Sequence, residues 1–83
     1  MMKYELGYHE MELDCHGMRA HEAVEAVDAF LDKAYAMGIG SVSIVYGYGQ
    51  GILRSVILDY LKRSRYVEDY SPGVGAEVIV TLK

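Results

Sequence analysis

An aspartate and a histidine two positions apart, in the stretch LDCHG at residues 13–17, are the side chains best suited to take part in a reaction. Side chains alternate along a strand, so Asp14 and His16 would point to the same side. An aspartate can orient an imidazole and set its tautomer, join it in holding a metal, or position it as a general acid or base. The alternative interpretation is that Asp14 only caps the following turn and His16 is a partly buried polar residue.

A second candidate is the glycine turn, defined as residues 46–51, in which Gly47, Gly49 and Gly51 alternate with other residues. The first backbone amides of a helix lack internal partners and carry positive potential, and glycine lets another backbone come close. With Arg54 one turn further on, the segment could hold an anion such as a phosphate. The alternative is that the glycines only form the turn. The spacing fits neither a dinucleotide fingerprint nor a P-loop, so a nucleotide cofactor is not expected.

Two other residues are chemical candidates, Cys15 and Tyr48. Cys15 alternates with Met11 and Leu13 on an apolar face, so it is expected to be a small buried hydrophobe. With one cysteine in the chain, no structural zinc site is predicted. Tyr48 lies within the turn and is expected to be exposed, where an aromatic ring could stack on a base.

The elements that must position these residues follow from the hydrophobic periodicity. A period of two predicts strands, and apolar residues spaced by three and four predict helices. The order β-α-β-α-β-β predicts an α/β domain with two helices and a small mixed four-stranded sheet, its first two strands parallel and its last two a hairpin. The predicted strands are residues 11–16, 42–46, 67–70 and 76–82, and the predicted helices are 20–37 and 52–64.

This topology brings the two candidate segments together. Ligands collect beyond the carboxyl ends of parallel strands, where residues 14–19 and the glycine turn both leave the sheet. We call residues 14–19 the Asp-His turn. If it meets the glycine turn, Arg19 and Arg54 would both be close enough to contribute positive charge to one anion-binding site.

Length and composition set wider bounds. The 83 residues suffice for one domain, predicted at residues 10–83 after an N-terminal arm at 1–9. The net charge of −4 argues mildly against nucleic acid as a ligand, although basic residues concentrate in 54–65. No apolar run is long enough to span a membrane and no signal peptide is evident. The single cysteine favours a reducing, cytoplasmic location.

The two candidate motifs together resemble those of the Smr (small MutS-related) domain family. LDCHG at residues 13–17 is similar to its Leu-Asp-x-His-Gly motif, and YGYGQGILR at 46–54 to its second, glycine-rich motif. The closing GVGAEVIVTLK is also similar, most of all to the Smr domains that end MutS2 proteins. The resemblance covers nearly the whole of residues 10–83.

The resemblance implies a two-layer α/β sandwich and work on nucleic acid. Smr domains are associated with nicking or endonuclease activity on DNA and with RNA cleavage linked to the ribosome. Carried over by motif, the catalytic residues would be Asp14 and His16. The glycines of the second motif match Gly47, Gly49 and Gly51 and its arginine matches Arg54, and Arg19 and Tyr48, which lie in the two turns, are also predicted to be nucleic-acid-binding residues.

Two positions depart from the family pattern. Tyr46 stands where the second motif commonly has histidine, which removes a candidate acid or base, and Tyr48 stands where lysine is frequent. Backbone binding of phosphate is unaffected by either change. Three functions follow as hypotheses: an endonuclease, a noncatalytic DNA-, RNA- or ribosome-binding module, and a protein-interaction domain that uses the acidic helix. A divalent metal ion at Asp14 is an open option that the spacing does not indicate, and the oligomeric state is not predicted.

Overall fold

The six predicted elements are all present in the computed structural model, which describes residues 11–49 and 51–83. The predicted arm at 1–9 lies outside the described residues. Neither of the helices in the described part of the chain is long and apolar enough to cross a membrane. The elements are β1 (Met11–Asp14), α1 (Ala20–Ala36), β2 (Ser41–Val45), α2 (Ile52–Arg63), β3 (Val67–Pro72) and β4 (Glu77–Leu82).

The sheet is mixed, with strand order β1-β2-β4-β3. β1 runs parallel to β2, and β3 and β4 form the predicted antiparallel hairpin. β4 lies beside β2, and Val45 at the end of β2 pairs with Glu77 at the start of β4. The β3–β4 turn therefore lies at the same edge of the sheet as the carboxyl ends of β1 and β2.

The core lies between one face of the sheet and the two helices, which pack against each other. Alternate residues of β2 and β4 face the helices, and spacings of three and four place the buried residues of α1 on one stripe. Full burial of a large aliphatic side chain contributes about 1.5–3 kcal/mol. This layer includes Ala23, Val27, Leu31, Ala34, Val42, Ile44, Ile57, Leu61, Val78 and Val80.

The ends of α1 show how the helix is held behind the Asp-His turn. The sequence offers no Ser, Thr, Asp or Asn cap, but the Glu22 carboxylate accepts a hydrogen bond from the Arg19 backbone N–H at 2.9 Å. In a capping box the side chain of the third helical residue bonds back to the N-cap backbone N–H, and Glu22 makes that bond to Arg19. The helix start is therefore capped by a residue of its own first turn. At the other end Gly38 has φ +75°, the left-handed conformation in which helices commonly end.

Candidate functional site

Asp14 and His16 contact each other through a turn. β1 ends at Asp14, two residues earlier than predicted, because the Asp14 Oδ1 atom accepts the His16 backbone N–H at 3.0 Å and so closes an Asx turn. The same oxygen lies 2.8 Å from His16 Nδ1. Asp14 therefore caps the turn and also orients the imidazole, and His16 is exposed, not partly buried as the alternative interpretation expected.

The hydrogen bonds of this pair fix which imidazole nitrogen faces outward. The hydrogen bond from the His16 backbone N–H, and then that from the His16 ring, lower the pKa of Asp14 below its ordinary value of 3.8. An ionised carboxylate only accepts, so Nδ1 carries the proton and Nε2 of the neutral ring holds the free lone pair. The His16 side chain is 73% exposed, so Nε2 is accessible to a ligand.

We expect the effect of Asp14→Asn on stability to depend on pH. A lowered carboxyl pKa stabilises the folded protein above pH 3.8, and that stabilisation is lost as the pH falls through the folded-state pKa. Because the Asp14 side chain is 49% exposed, the effect is expected to stay below about 1 kcal/mol. Urea unfolding of both proteins from about pH 6 to about pH 2.5 should show a stability difference that shrinks with acidification. A constant difference would contradict this account.

The Asp-His turn and the glycine turn meet at one edge of the sheet, as the topology predicts. The Cys15 N–H donates to the Val45 carbonyl at 2.7 Å, which extends the β1–β2 pairing one residue past β1. A Cβ atom built on Gly47 would lie 2.8 Å from the His16 Cβ and 3.5 Å from its Cα. His16 and the start of the glycine turn are therefore in direct contact.

The backbone amides of the glycine turn differ in what they can bind. The N–H groups of Tyr46 and Gly47 both donate to the Ala76 carbonyl, at 2.9 and 3.3 Å, so the Gly47 amide is already engaged. The amides of Tyr48, Gly49 and Gly51 make no hydrogen bond to a described residue. Gly51 is the N-cap of α2, and Tyr48 and Gly49 precede it in the chain, on the N-terminal side of the helix, where the helix dipole favours an anion.

The glycine turn, Gly17 and the first turn of α2 surround an open depression of about 200 Å³. Arg54 lines it, is exposed, and has no hydrogen-bond or ion-pair partner among the described residues. Tyr48 is 88% exposed, as predicted. Arg19 is the N-cap of α1 and does not line the depressions at the glycine turn.

The β3–β4 turn forms a further wall that the sequence analysis missed. Gly75 and Ala76 line a second depression of about 240 Å³ with the glycine turn. The Glu77 carboxylate fixes this wall to β2, because it accepts hydrogen bonds from the buried Ser43 hydroxyl at 2.6 Å and from the Val74 N–H at 3.1 Å. A serine within the apolar run of β2 was the available signal.

Two other chemical options can be assessed from the structure. Cys15 is fully buried, as predicted, and burial together with the Asp14 charge raises its pKa to about 11. Its thiol is therefore protonated at neutral pH and is not a nucleophile. Within residues 11–49 and 51–83, no three or more His, Cys, Asp or Glu side chains are grouped so that they could hold a metal ion.

A comparison with protein families relates this arrangement to known domains. The family model described as "Smr domain" matches residues 13–82, nearly the whole described chain. The chain belongs to the Smr domain family. This family is known as nucleic-acid-binding and nuclease-related.

Relatives and solved structures agree with this assignment. The chain is 47% identical over 64 residues to the Endonuclease MutS2 of Clostridium botulinum (strain ATCC 19397), an alignment that covers 77% of this chain and 8% of that protein. The crystal structure of the Smr domain of Thermus thermophilus MutS2 superposes with a TM-score of 0.84 at 30% identity, covering 87% of this chain and 96% of that one. YdaL, a stand-alone small MutS-related protein from Escherichia coli, shares the fold with a TM-score of 0.82 at 24% identity, covering 87% and 63%.

Proposed function

We propose that this Smr domain holds the phosphodiester backbone of DNA or RNA at the glycine turn and cleaves it with the help of His16. The observation that carries the proposal is the direct contact between His16 and Gly47. Gly47 is the start of the segment whose later amides have no described partner and which lies beside the exposed Arg54, while His16 contacts that segment at Gly47 without lining either depression at the glycine turn. A base next to an anion-binding turn is the minimum arrangement for phosphodiester chemistry.

In this proposal some groups bind the phosphate and His16 transfers the proton. The amides of Tyr48, Gly49 and Gly51 and the Arg54 guanidinium bind the phosphate oxygens. On RNA, His16 Nε2 takes the proton of the 2′-hydroxyl while its oxygen attacks phosphorus. The bond to the 5′-oxygen then breaks, that oxygen is protonated by solvent, and a 2′,3′-cyclic phosphate remains. On DNA, Nε2 takes a proton from a water molecule as the water oxygen attacks phosphorus, one P–O ester bond of the backbone breaks, and the departing sugar oxygen is protonated by solvent. The described residues do not form a protein metal cage, and no step is routed through a metal.

A noncatalytic binding module is the second candidate function. Tyr46, at the position where the family motif commonly has histidine, is half-buried and packs against the core. Its phenol therefore gives the site no acid or base comparable to a second histidine. This function predicts nucleic-acid binding with no cleavage products, with or without added divalent metal.

The relatives are much longer than this chain, which matters for how tightly the domain would bind nucleic acid. This chain spans only 8% of the Clostridium botulinum MutS2 protein that it matches. A domain with one phosphate site binds weakly alone, and fusion or association raises its effective concentration. A cytoplasmic location and ribosome-associated RNA as one target are further parts of the proposal.

The proposal is tested by titrating the protein with labelled DNA and RNA oligonucleotides at two salt concentrations while monitoring products by gel. We expect salt-sensitive binding, and Arg54→Ala should weaken it and reduce the slope of log K against log salt by about 1. Arg63→Ala is the matched control. It removes the same charge from the same helix at its other end, where Arg63 is paired with Asp59 at 2.8 Å. Absence of binding even at low salt would reject both nucleic-acid functions.

A further inference from the structure

A third depression adjoins the glycine turn on the side of the β3–β4 hairpin. It has a volume of about 160 Å³ and opens between α2 and the hairpin. Arg54 and Tyr46 line it and also line the two depressions at the glycine turn, so the three depressions are neighbours. Its other walls are Leu58, Tyr70, Pro72, Val78 and Glu77, and the Glu77 carboxylate is already bonded to the Ser43 hydroxyl and the Val74 N–H.

We propose that this third depression is a subsite for a single unstacked nucleobase whose adjoining phosphate lies at the glycine turn. The proposal rests on the proposed nucleic-acid function and names the form of substrate that the site takes. A base held here must leave its stack, so the domain should prefer single-stranded or unpaired nucleic acid to a perfect duplex.

The ring chemistry of the depression favours a base as its occupant. Tyr46 and Tyr70 are half-buried, and their rings border the space. Neither hydroxyl hydrogen-bonds to a described residue. A planar base can stack on a phenol ring and hydrogen-bond to its hydroxyl at the same time, whereas an aliphatic side chain would leave both hydroxyls unpaired.

The position of the depression also favours a base attached to a phosphate. Arg54 stands between the phosphate side and the apolar side, so one guanidinium can reach a phosphate and lie over a base in the neighbouring space. The amides of the glycine turn are the neighbouring phosphate donors. Proteins that bind single-stranded nucleic acid without sequence preference combine a backbone-binding segment with aromatic side chains on which bases stack. The glycine turn and the neighbouring third depression have this arrangement.

The test compares binding of single-stranded oligonucleotides of about 12 nucleotides with abasic strands of the same length and charge. We expect the wild-type protein to bind the abasic strand about 5- to 150-fold more weakly, the range for losing one stacked base. Tyr70→Ala should weaken binding of the intact strand to a similar extent and should bind both strands alike. Tyr35→Ala removes an exposed tyrosine from α1 and should retain wild-type discrimination.

A second variant and a stability measurement distinguish loss of the base subsite from loss of the fold. Tyr70→Leu retains apolar volume without an aromatic face, so it should fold and still lose discrimination; thermal unfolding of each variant checks the fold. Equal binding of intact and abasic strands by the wild-type protein, still weakened by Arg54→Ala, would overturn the base subsite and leave the phosphate site standing. Absence of binding to any strand would reject the proposed function itself.

Discussion

Gly47→Ala is expected to lower the free energy of unfolding by about 2–3 kcal/mol and to weaken nucleic-acid binding severely. Gly47 has φ +82°, a region that costs a residue with a Cβ about 1–2 kcal/mol. The new methyl would also lie 2.8 Å from the His16 Cβ, and relieving that overlap forces His16 or the glycine turn to move at a further cost of about 1 kcal/mol. For a domain of this size the midpoint of thermal unfolding should fall by about 8–24 °C.

Gly49→Ala is the matched control for that experiment. Gly49 lies two residues further along the same turn, has no positive φ, and nothing lies within 4 Å of the position of a Cβ atom. Its alanine variant should unfold within about 0.5 kcal/mol of the wild-type protein. Calorimetry gives the stability, and oligonucleotide titration gives the affinity. Equal tolerance of both alanines would mean that the close approach of His16 to Gly47 is not needed for the fold.

The contrast between these glycines shows what sequence spacing can and cannot determine. The G-x-G-x-G pattern predicts a turn that approaches another backbone, and it treats its three glycines alike. The structure separates them, since Gly47 touches His16 and donates its amide to Ala76, whereas the amide of Gly49 has no described partner. That difference depends on β4 lying beside β2, and strand order within a sheet is not written in local periodicity.

The elements themselves were predictable because each is amphipathic. The buried stripe of α1, including Val27 and Leu31, recurs at helical spacing, and Val78, Val80 and Leu82 in β4 alternate with more exposed residues. The bond between Ser43 and Glu77 was not predictable, because it joins polar residues 34 positions apart. The residues before α1 give no signal of its cap, because the capping carboxylate, that of Glu22, lies inside the helix.

The acidic net charge of −4 is compatible with phosphate binding once the donors are located. The amides of the glycine turn carry positive potential without adding formal charge. Within residues 54–65, Arg63 is paired with Asp59, and Arg65 lies 5.5 Å from the centre of the Tyr66 ring. Arg54 is exposed beside the glycine turn and has no ion-pair partner among the described residues, so it supplies positive charge next to the amides.

His16→Ala is expected to reduce cleavage of DNA or RNA by about 10²- to 10⁴-fold, the usual contribution of a positioned general acid or base. The binding constant should change little, since the phosphate is held by amides and by Arg54. Asp14→Asn should also slow cleavage, but less than His16→Ala does. The amide side chain no longer stabilises the imidazolium that forms when Nε2 accepts a proton. Product formation with substrate in excess and anisotropy titration measure the two quantities separately.

His21→Ala is the control that distinguishes a catalytic loss from a general loss of histidine. His21 is exposed on the first turn of α1 and, unlike His16, contributes none of the atoms nearest to a Cβ built on Gly47. The His21→Ala variant should therefore cleave DNA or RNA at the wild-type rate. If His16→Ala cut as fast as His21→Ala while both bound normally, the Asp14–His16 pair would be no more than a cap of the turn that ends β1. The contact between His16 and Gly47 would then serve to shape a binding site, and the noncatalytic function would be the one that fits.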